Sequence, residues 1–229
     1  FEVSDLSHVI MKSINFNKVE ISDCNLRSIK ILYPYMKDFK FNNKYKSTLD
    51  DKSFFDKLII RHKTRSEYEG IYSIYEDIAN EFNNNNLKNN FGEYYYWCKK
   101  TQRKVLKPFP KVSSYIYWIT SGYGERILTP LVTSIIIMII FAFIYMIFGV
   151  DFDGEIVKYI TGQGLPGSIT EFIAQYSEAL NLSISIFVGL GTSNSFPTYS
   201  SNIFFDVEMI VGVIMLGIGI GTITRKLIR

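Results

Sequence analysis

The sequence has few of the side chains on which most enzymes and metal proteins depend. Its 229 residues include only two cysteines and two histidines. The histidines, His8 and His62, are isolated, and the cysteines, Cys24 and Cys98, lack the spacing of a metal site. No nucleophile–base pair and no phosphate-binding loop is recognisable, so we predict no enzymatic activity, no metal and no cofactor. Both cysteines lie in the half that we place in the cytosol, where reduced thiols are expected.

Charge is absent from one long interval of the chain and scarce in a second. Residues 127–150 contain no charged side chain, and 24 apolar or neutral positions are enough for a helix to cross a bilayer. A second apolar segment, residues 209–224, is extended at its start by residues 203–208. Residues 1–126, by contrast, hold 21 of the 25 Lys and Arg. Composition therefore predicts a polar N-terminal half and a membrane-spanning C-terminal half.

A third apolar segment lies between the two predicted spans. Residues 179–191 number only 13, which is too short for a helix to cross the hydrocarbon core. We predict that this segment enters the membrane and returns to the same side. A span, a short re-entrant segment and a second span form the layout of a two-helix pore module.

The end of this short segment reads VGLGT and resembles the potassium-channel signature TVGYGD. Val188, Gly189 and Gly191 match the signature, Leu190 stands at its aromatic position and Thr192 at its acidic position. Glycines allow the alternating backbone conformations that turn successive carbonyl groups toward one axis. Those oxygens replace the water shell of a permeating ion.

The resemblance implies a homotetramer that conducts K⁺ or another monovalent cation, since four loops are needed to surround the ion. Pro197 resembles the proline that commonly follows the filter. A pore helix is predicted over about residues 170–186, with the negative end of its dipole toward the ion path. We expect the backbone of Val188, Gly189 and Leu190 to coordinate the ion. The full set of predicted pathway residues is Ile186, Phe187, Val188, Gly189, Leu190, Gly191 and Thr192.

Two residues depart from the resemblance, because Ile186 and Phe187 stand where the family usually has two threonines. Without the threonine hydroxyl, the innermost ion site keeps only backbone oxygens, so we predict weak preference for K⁺ over Na⁺. Four Phe187 rings would either narrow the inner mouth or turn away and splay the loop.

Glycines recur in the second predicted span, and two interpretations stay open. Small residues let helices approach closely in lipid, whereas the resemblance implies a glycine that bends the helix at a gate. Gly212 and Gly217 are the hinge candidates. A more literal copy of the signature, Gly122-Tyr123-Gly124, precedes the first span beside charged residues, and we predict only a juxtamembrane turn there.

An apolar residue recurs at every fifth position from residue 1 to residue 31, a period that neither a helix nor a strand produces. This spacing resembles the pentapeptide-repeat family, which implies a four-sided right-handed β-solenoid with about twenty residues per coil. Because so few coils cannot bury their inner face, we expect further coils upstream in a longer protein. Coincidental spacing in an irregular segment is the alternative. The repeat positions are Phe1, Leu6, Met11, Phe16, Ile21, Leu26 and Ile31.

Residues 33–111 are predicted as a cytoplasmic helical linker: a connector over residues 33–52 and then two antiparallel helices. Their tyrosine-rich face could stack nucleotide bases, but helical spacing is more typical of a core. A basic run over residues 99–111 allows nucleic-acid binding, but its position beside a membrane segment favours cytoplasmic retention and contact with anionic lipids. Residues 112–119 suit an interfacial helix.

We therefore predict a membrane α-helical fold: two transmembrane helices plus a re-entrant pore helix and filter loop, in a tetramer. The predicted domains are a solenoid (1–32), a helical linker (33–111) and a pore domain (112–229). Basic flanks place both termini in the cytoplasm at the cell membrane, so the acidic loop, residues 151–200, lies outside. The predicted partners are identical subunits, the bilayer and an unidentified cytoplasmic ligand or protein, without nucleic acid. The alternative is a membrane-anchored repeat scaffold that conducts nothing.

Overall fold

The computed structural model describes residues 1–58, 63–191 and 195–228, in which helices and strands both occur. Two residues named above, His62 and Thr192, lie outside the described residues. The chain divides into two compact units, residues 1–118 and residues 119–228, and each is described by itself. The predicted α-helical class is too narrow, because strands also occur in the C-terminal unit.

Seven short strands open the N-terminal unit, and all of their pairing is parallel. In the first three ladders each residue pairs with the residue twenty positions later: Ile10 with Lys30, Asn15 with Tyr35 and Glu20 with Lys40. Strand pairing extends beyond residue 32, so strands occupy part of the interval predicted as a connector. The strands are β1 Ile10–Lys12, β2 Asn15–Asn17, β3 Glu20–Ile21, β4 Lys30–Leu32, β5 Tyr35–Lys37, β6 Lys40–Phe41 and β7 Phe54–Phe55.

The backbone of the same region has a period of five residues. A positive φ, which non-glycine residues rarely adopt, recurs at every fifth position from Val3 to Asp38. The apolar repeat positions from Phe16 to Ile31 are at most 2% exposed and share one core, whereas Phe1 is 53% exposed. The residues with positive φ are Val3, His8, Ser13, Lys18, Asp23, Ser28, Tyr33 and Asp38.

Two helices, α1 (Arg65–Asn84) and α2 (Lys88–Gln102), lie where the sequence predicts a helical hairpin. A capping box starts α1, in which the Thr64 hydroxyl accepts from the Glu67 N–H and the Glu67 carboxylate accepts from the Thr64 N–H. The buried Tyr94 hydroxyl accepts from the backbone N–H of Phe55 at 2.8 Å. This tyrosine therefore satisfies a strand edge inside the core.

A third helix, α3 (Pro108–Ser121), covers the predicted interfacial segment. One residue of the basic run is not a solvated charge. Arg103 is 4% exposed, and its guanidinium lies 4.2 Å and 4.5 Å from the ring centres of Tyr115 and Trp118. Contact with two aromatic rings stabilises the buried cation. The Gly122–Gly124 segment that follows is a short 3₁₀ turn.

Within the described residues of the C-terminal unit, two helices are long and apolar enough to cross a membrane, α4 (Leu128–Phe148) and α6 (Asn202–Leu227). They coincide with the two predicted spans. Between them lie three short strands and a further helix, α5 (Ile169–Val188). The strands form an antiparallel sheet with β8 in the centre. They are β8 Val150–Phe152, β9 Glu155–Val157 and β10 Ser195–Pro197.

Candidate functional site

The chain segment that contains α5 starts and ends at the same end of α4. Strand β8 follows α4 directly and pairs on one side with β9, which leads into α5, and on the other with β10, which leads into α6. The start of α6 is fixed at this place as well, since the Ser201 hydroxyl donates to the Gly149 carbonyl oxygen at 2.6 Å. The segment from β9 to β10 is therefore an excursion that begins and ends at the C-terminal end of α4.

Helices α5 and α6 run side by side in the same direction where they meet. Ser183 of α5 contacts Glu208 of α6, and the carbonyl group of Phe187 lies against Gly212. Both pairs advance by four residues along their helices, which is about one turn. Because the two helices run in the same direction, the chain after α5 must turn back before α6 can begin.

A glycine ends α5 at the start of the candidate loop. The Gly189 N–H donates to the Ile186 carbonyl oxygen at 3.0 Å, and the Leu190 N–H donates to the Ser185 carbonyl oxygen at 2.9 Å. With Gly189 at φ 78°, these bonds form the Schellman motif that commonly terminates helices. Gly191 is also left-handed, with φ 84°. The backbone thus needs glycine at both positions.

The predicted pathway residues fall into two groups. The side chains of Ile186 and Phe187 are 2% and 3% exposed, whereas Val188 and Leu190 are 46% and 80% exposed. Val188, the last residue of α5, and residues 189–191 after it form one exposed edge, which we call the VGLG loop. Of the two arrangements considered for Phe187, the structure has the ring turned into the core. Thr192 lies outside the described residues.

The two hinge candidates differ in their surroundings. A Cβ atom at Gly212 would lie 2.2 Å from the Phe187 carbonyl oxygen, so close helix packing requires glycine there. A Cβ atom at Gly217 would meet nothing within 4 Å. Helix packing therefore explains why residue 212 is a glycine. Gly217 has no such neighbour in the single chain, so packing does not explain the glycine there.

Glu208 is the last of residues 203–208, which extend the second predicted span at its start, near the membrane surface where a charge is tolerated. The structure instead buries it completely between α4, α5 and α6. The Tyr145 hydroxyl donates to its Oε2 at 2.6 Å, and the Ser183 hydroxyl donates to its Oε1. The available signal was a carboxylate between apolar neighbours inside an apolar helix, which marks a functional residue by default.

Acidic side chains surround the excursion at the end where it enters and leaves. Most of them are exposed, and the described part of this region has a single basic residue, Lys158, whose ammonium group donates to the Ser200 hydroxyl at 2.9 Å. An excess of exposed carboxylates raises the local concentration of cations. The acidic residues at this end are Asp151, Asp153, Glu155 and Glu171, whereas Glu178 lies in the middle of α5.

The C-terminal end of α6 is held by a buried carboxylate. Glu125, which follows the Gly122–Gly124 turn, has a side chain only 2% exposed and lies 3.0 Å from the Arg225 guanidinium. This ion pair connects the end of α6 to the turn that precedes α4. The carboxylate is buried and the Arg225 side chain is 39% exposed, so salt screens this pair less than a fully exposed one.

No protein-family model, no curated protein and no solved structure matches this chain. The functional argument therefore depends on the residues and the geometry described above.

Proposed function

We propose that this chain is one subunit of a tetrameric cation channel in which the VGLG loop lines the ion path and K⁺ is a principal permeant ion. One observation carries the proposal: the chain leaves the C-terminal end of α4, forms α5, which ends in the exposed VGLG loop, and returns to the same end of α4. Gly189 and Gly191, two residues apart in that loop, are both left-handed. Such alternation directs successive carbonyl groups toward one side, as an ion path requires.

The membrane placement is supported by the surfaces of α4 and α6. Many of their large apolar side chains are exposed in the single chain, including Ile136, Ile140, Ile210 and Val213. Exposed apolar surface on this scale suits lipid and neighbouring subunits. Basic residues flank the spans at one end and carboxylates crowd the other, which favours cytoplasmic termini and an extracellular VGLG loop entrance.

Fourfold assembly is supported by the exposure of the VGLG loop itself. Leu190 is 80% exposed and Val188 46% exposed among the described residues, and carbonyl groups facing lipid would lack hydrogen-bond partners. Four copies around an axis bury these groups and surround an ion with oxygen ligands. Because Phe187 has no hydroxyl and its carbonyl group faces Gly212, the innermost site would be incomplete, which favours weak K⁺ selectivity.

For the N-terminal unit we propose a pentapeptide-type β-solenoid with one coil per twenty residues. Two observations support it: the twenty-residue offset between paired strands and the positive φ at every fifth residue. A stack of such coils presents flat, regular faces to a cytoplasmic ligand or protein.

The proposal is tested by mass and by topology. We expect native mass measurement of the purified protein to give a tetramer, and a monomer or dimer would contradict the proposal. Tyr199→Cys, at a side chain 96% exposed, should react with an impermeant thiol reagent added outside intact cells. Ser66→Cys should react only after permeabilisation. The two native cysteines are buried, so background labelling should be low.

A second candidate is a membrane-anchored scaffold in which only the N-terminal unit is functional. Tyr33, Tyr35 and Tyr45 favour it, since they are 67%, 54% and 81% exposed and tyrosine is enriched at protein interfaces. A scaffold needs neither fourfold symmetry nor conduction. Reconstituted protein that binds a partner but passes no cation current would favour the scaffold.

A further inference from the structure

Glu208 takes no direct part in the ion path as proposed. It is fully buried in α6, where the hydroxyl groups of Tyr145 from α4 and Ser183 from α5 donate to its two carboxylate oxygens. Burying a carboxylate is unfavourable unless it is hydrogen-bonded. An apolar side chain at this position would avoid that cost, so the carboxylate calls for a functional explanation.

The contacts of Glu208 lie one helical turn from the VGLG loop. Ser183 precedes Phe187 by four residues, and Glu208 precedes Gly212 by four, so the two contacts between α5 and α6 stack along the helices. Phe187 comes directly before Val188, the first residue of the loop. Any displacement of α5 relative to α6 is therefore transmitted to the loop carbonyl groups.

We propose that Glu208 is a positioning residue for the ion path: through Ser183 and Tyr145 it fixes α5 between α4 and α6, and so fixes the VGLG loop. This inference rests on the proposed channel function. Discrimination between K⁺ and Na⁺ depends on the number and field of the coordinating oxygens. Loss of these tethers should therefore lower selectivity while cation conduction persists.

The test uses the full chain with the double change Tyr145→Phe and Glu208→Met. Both replacements keep the approximate volume, and they remove the carboxylate together with the hydroxyl that would otherwise lose its acceptor. The single hydroxyl hydrogen of Ser183 can then be donated to the Met138 carbonyl oxygen, which lies 3.0 Å away. Apolar replacement of a complete buried polar group is often neutral or stabilising, so the tetramer and its thermal midpoint should be retained.

The readout is the K⁺/Na⁺ permeability ratio from reversal potentials in planar bilayers. Because the unmodified protein is expected to prefer K⁺ only modestly, we expect the ratio to fall toward 1 in the double variant. Asp206→Asn is the matched control, because Asp206 is an exposed carboxylate on the same helix, and its ratio should be unchanged. Ser183→Ala removes one tether only, and it provides the measurement if the double variant does not assemble.

Two results would overturn the inference, and they are distinguishable. If the unmodified protein conducts and neither the double variant nor Ser183→Ala changes the ratio, Glu208 does not position the loop and the channel proposal stands. If the unmodified protein passes no cation current, the channel proposal and this inference fail together.

Discussion

The carbonyl oxygen of Phe187 occupies the place where a side chain at Gly212 would begin, 2.2 Å from the position of its Cβ atom. This contact joins the last turn of α5, just before the VGLG loop, to the middle of α6. A glycine that appeared to be a hinge candidate in the sequence is therefore a packing residue in the folded chain.

A pair of glycine substitutions in α6 tests whether Gly212 is required for the packing of α5 against α6. Gly212→Ala should push α5 away from α6 and destabilise the protein by about 1–3 kcal/mol, the usual cost of overpacking. Gly217→Ala meets no neighbour within 4 Å and should stabilise α6 by up to about 1 kcal/mol. Thermal unfolding of the detergent-solubilised protein measures both. Equal effects of the two changes would contradict the packing role of Gly212.

The five-residue backbone period predicts that replacing two exposed lysines by glycine changes the free energy of unfolding in opposite directions. Lys18 is left-handed, with φ 54°, whereas Lys12 ends strand β1. The left-handed conformation costs an L-residue about 1–2 kcal/mol, which exceeds the entropic cost of glycine, so Lys18→Gly should raise the free energy of unfolding. Lys12→Gly should lower it by about 0.5–1 kcal/mol.

Tryptophan fluorescence during denaturant unfolding measures this difference, because both tryptophans, Trp97 and Trp118, lie in the N-terminal unit. Destabilisation of similar size by both lysine changes would show that residue 18 does not adopt the left-handed backbone conformation.

Asp50 should make the stability of the N-terminal unit sensitive to acid. Burial opposes ionisation of Asp50, but hydrogen bonds from Ser28 and Ser53 outweigh it and lower the pKa of the carboxyl group to about 2. The pKa is lower in the folded state than the ordinary 3.8. Its stabilisation is therefore present above about pH 4 and is lost as the pH falls toward 2.

Asp50→Asn should lower the free energy of unfolding near neutral pH, and the difference from the unmodified protein should narrow below about pH 3. Asp51→Asn, at the exposed neighbouring carboxylate, is the control and should have little effect. If the difference in free energy of unfolding between Asp50→Asn and the unmodified protein is constant from neutral pH to acid, the Asp50 carboxylate does not stabilise the fold as argued.

The apolar spans could be predicted from the sequence because charge is excluded from them over whole helices. The hairpin of β8 and β9 was missed although Asp153-Gly154, a strong turn signal between two short apolar runs, marks it. Strands of three residues produce too little alternation to recognise. Strands beyond residue 32 were missed although apolar residues continue the five-residue spacing at Met36 and Phe41, before Lys46 ends the series.

The environment of Glu208 could not be derived from the sequence, because it depends on which helix faces contact one another. Its distance from Tyr145 along the chain is 63 residues, and local periodicity does not determine such a pairing. The VGLG loop, in contrast, was recognisable because glycine is required by the backbone itself. Local conformation was thus predictable where tertiary packing was not.

The most direct measurement of the central claim is the current carried by purified protein in planar bilayers with K⁺ on one side and Na⁺ on the other. Gly189→Ala places a side chain at φ 78° and should abolish or strongly reduce the current. Gly70→Ala, in α1 of the N-terminal unit, meets no neighbour within 4 Å and should retain it. We expect the unmodified protein to pass cation current with a reversal potential that indicates modest K⁺ preference. Absence of cation current, or the same current in the Gly189→Ala variant, would contradict the assignment of the VGLG loop as the ion path.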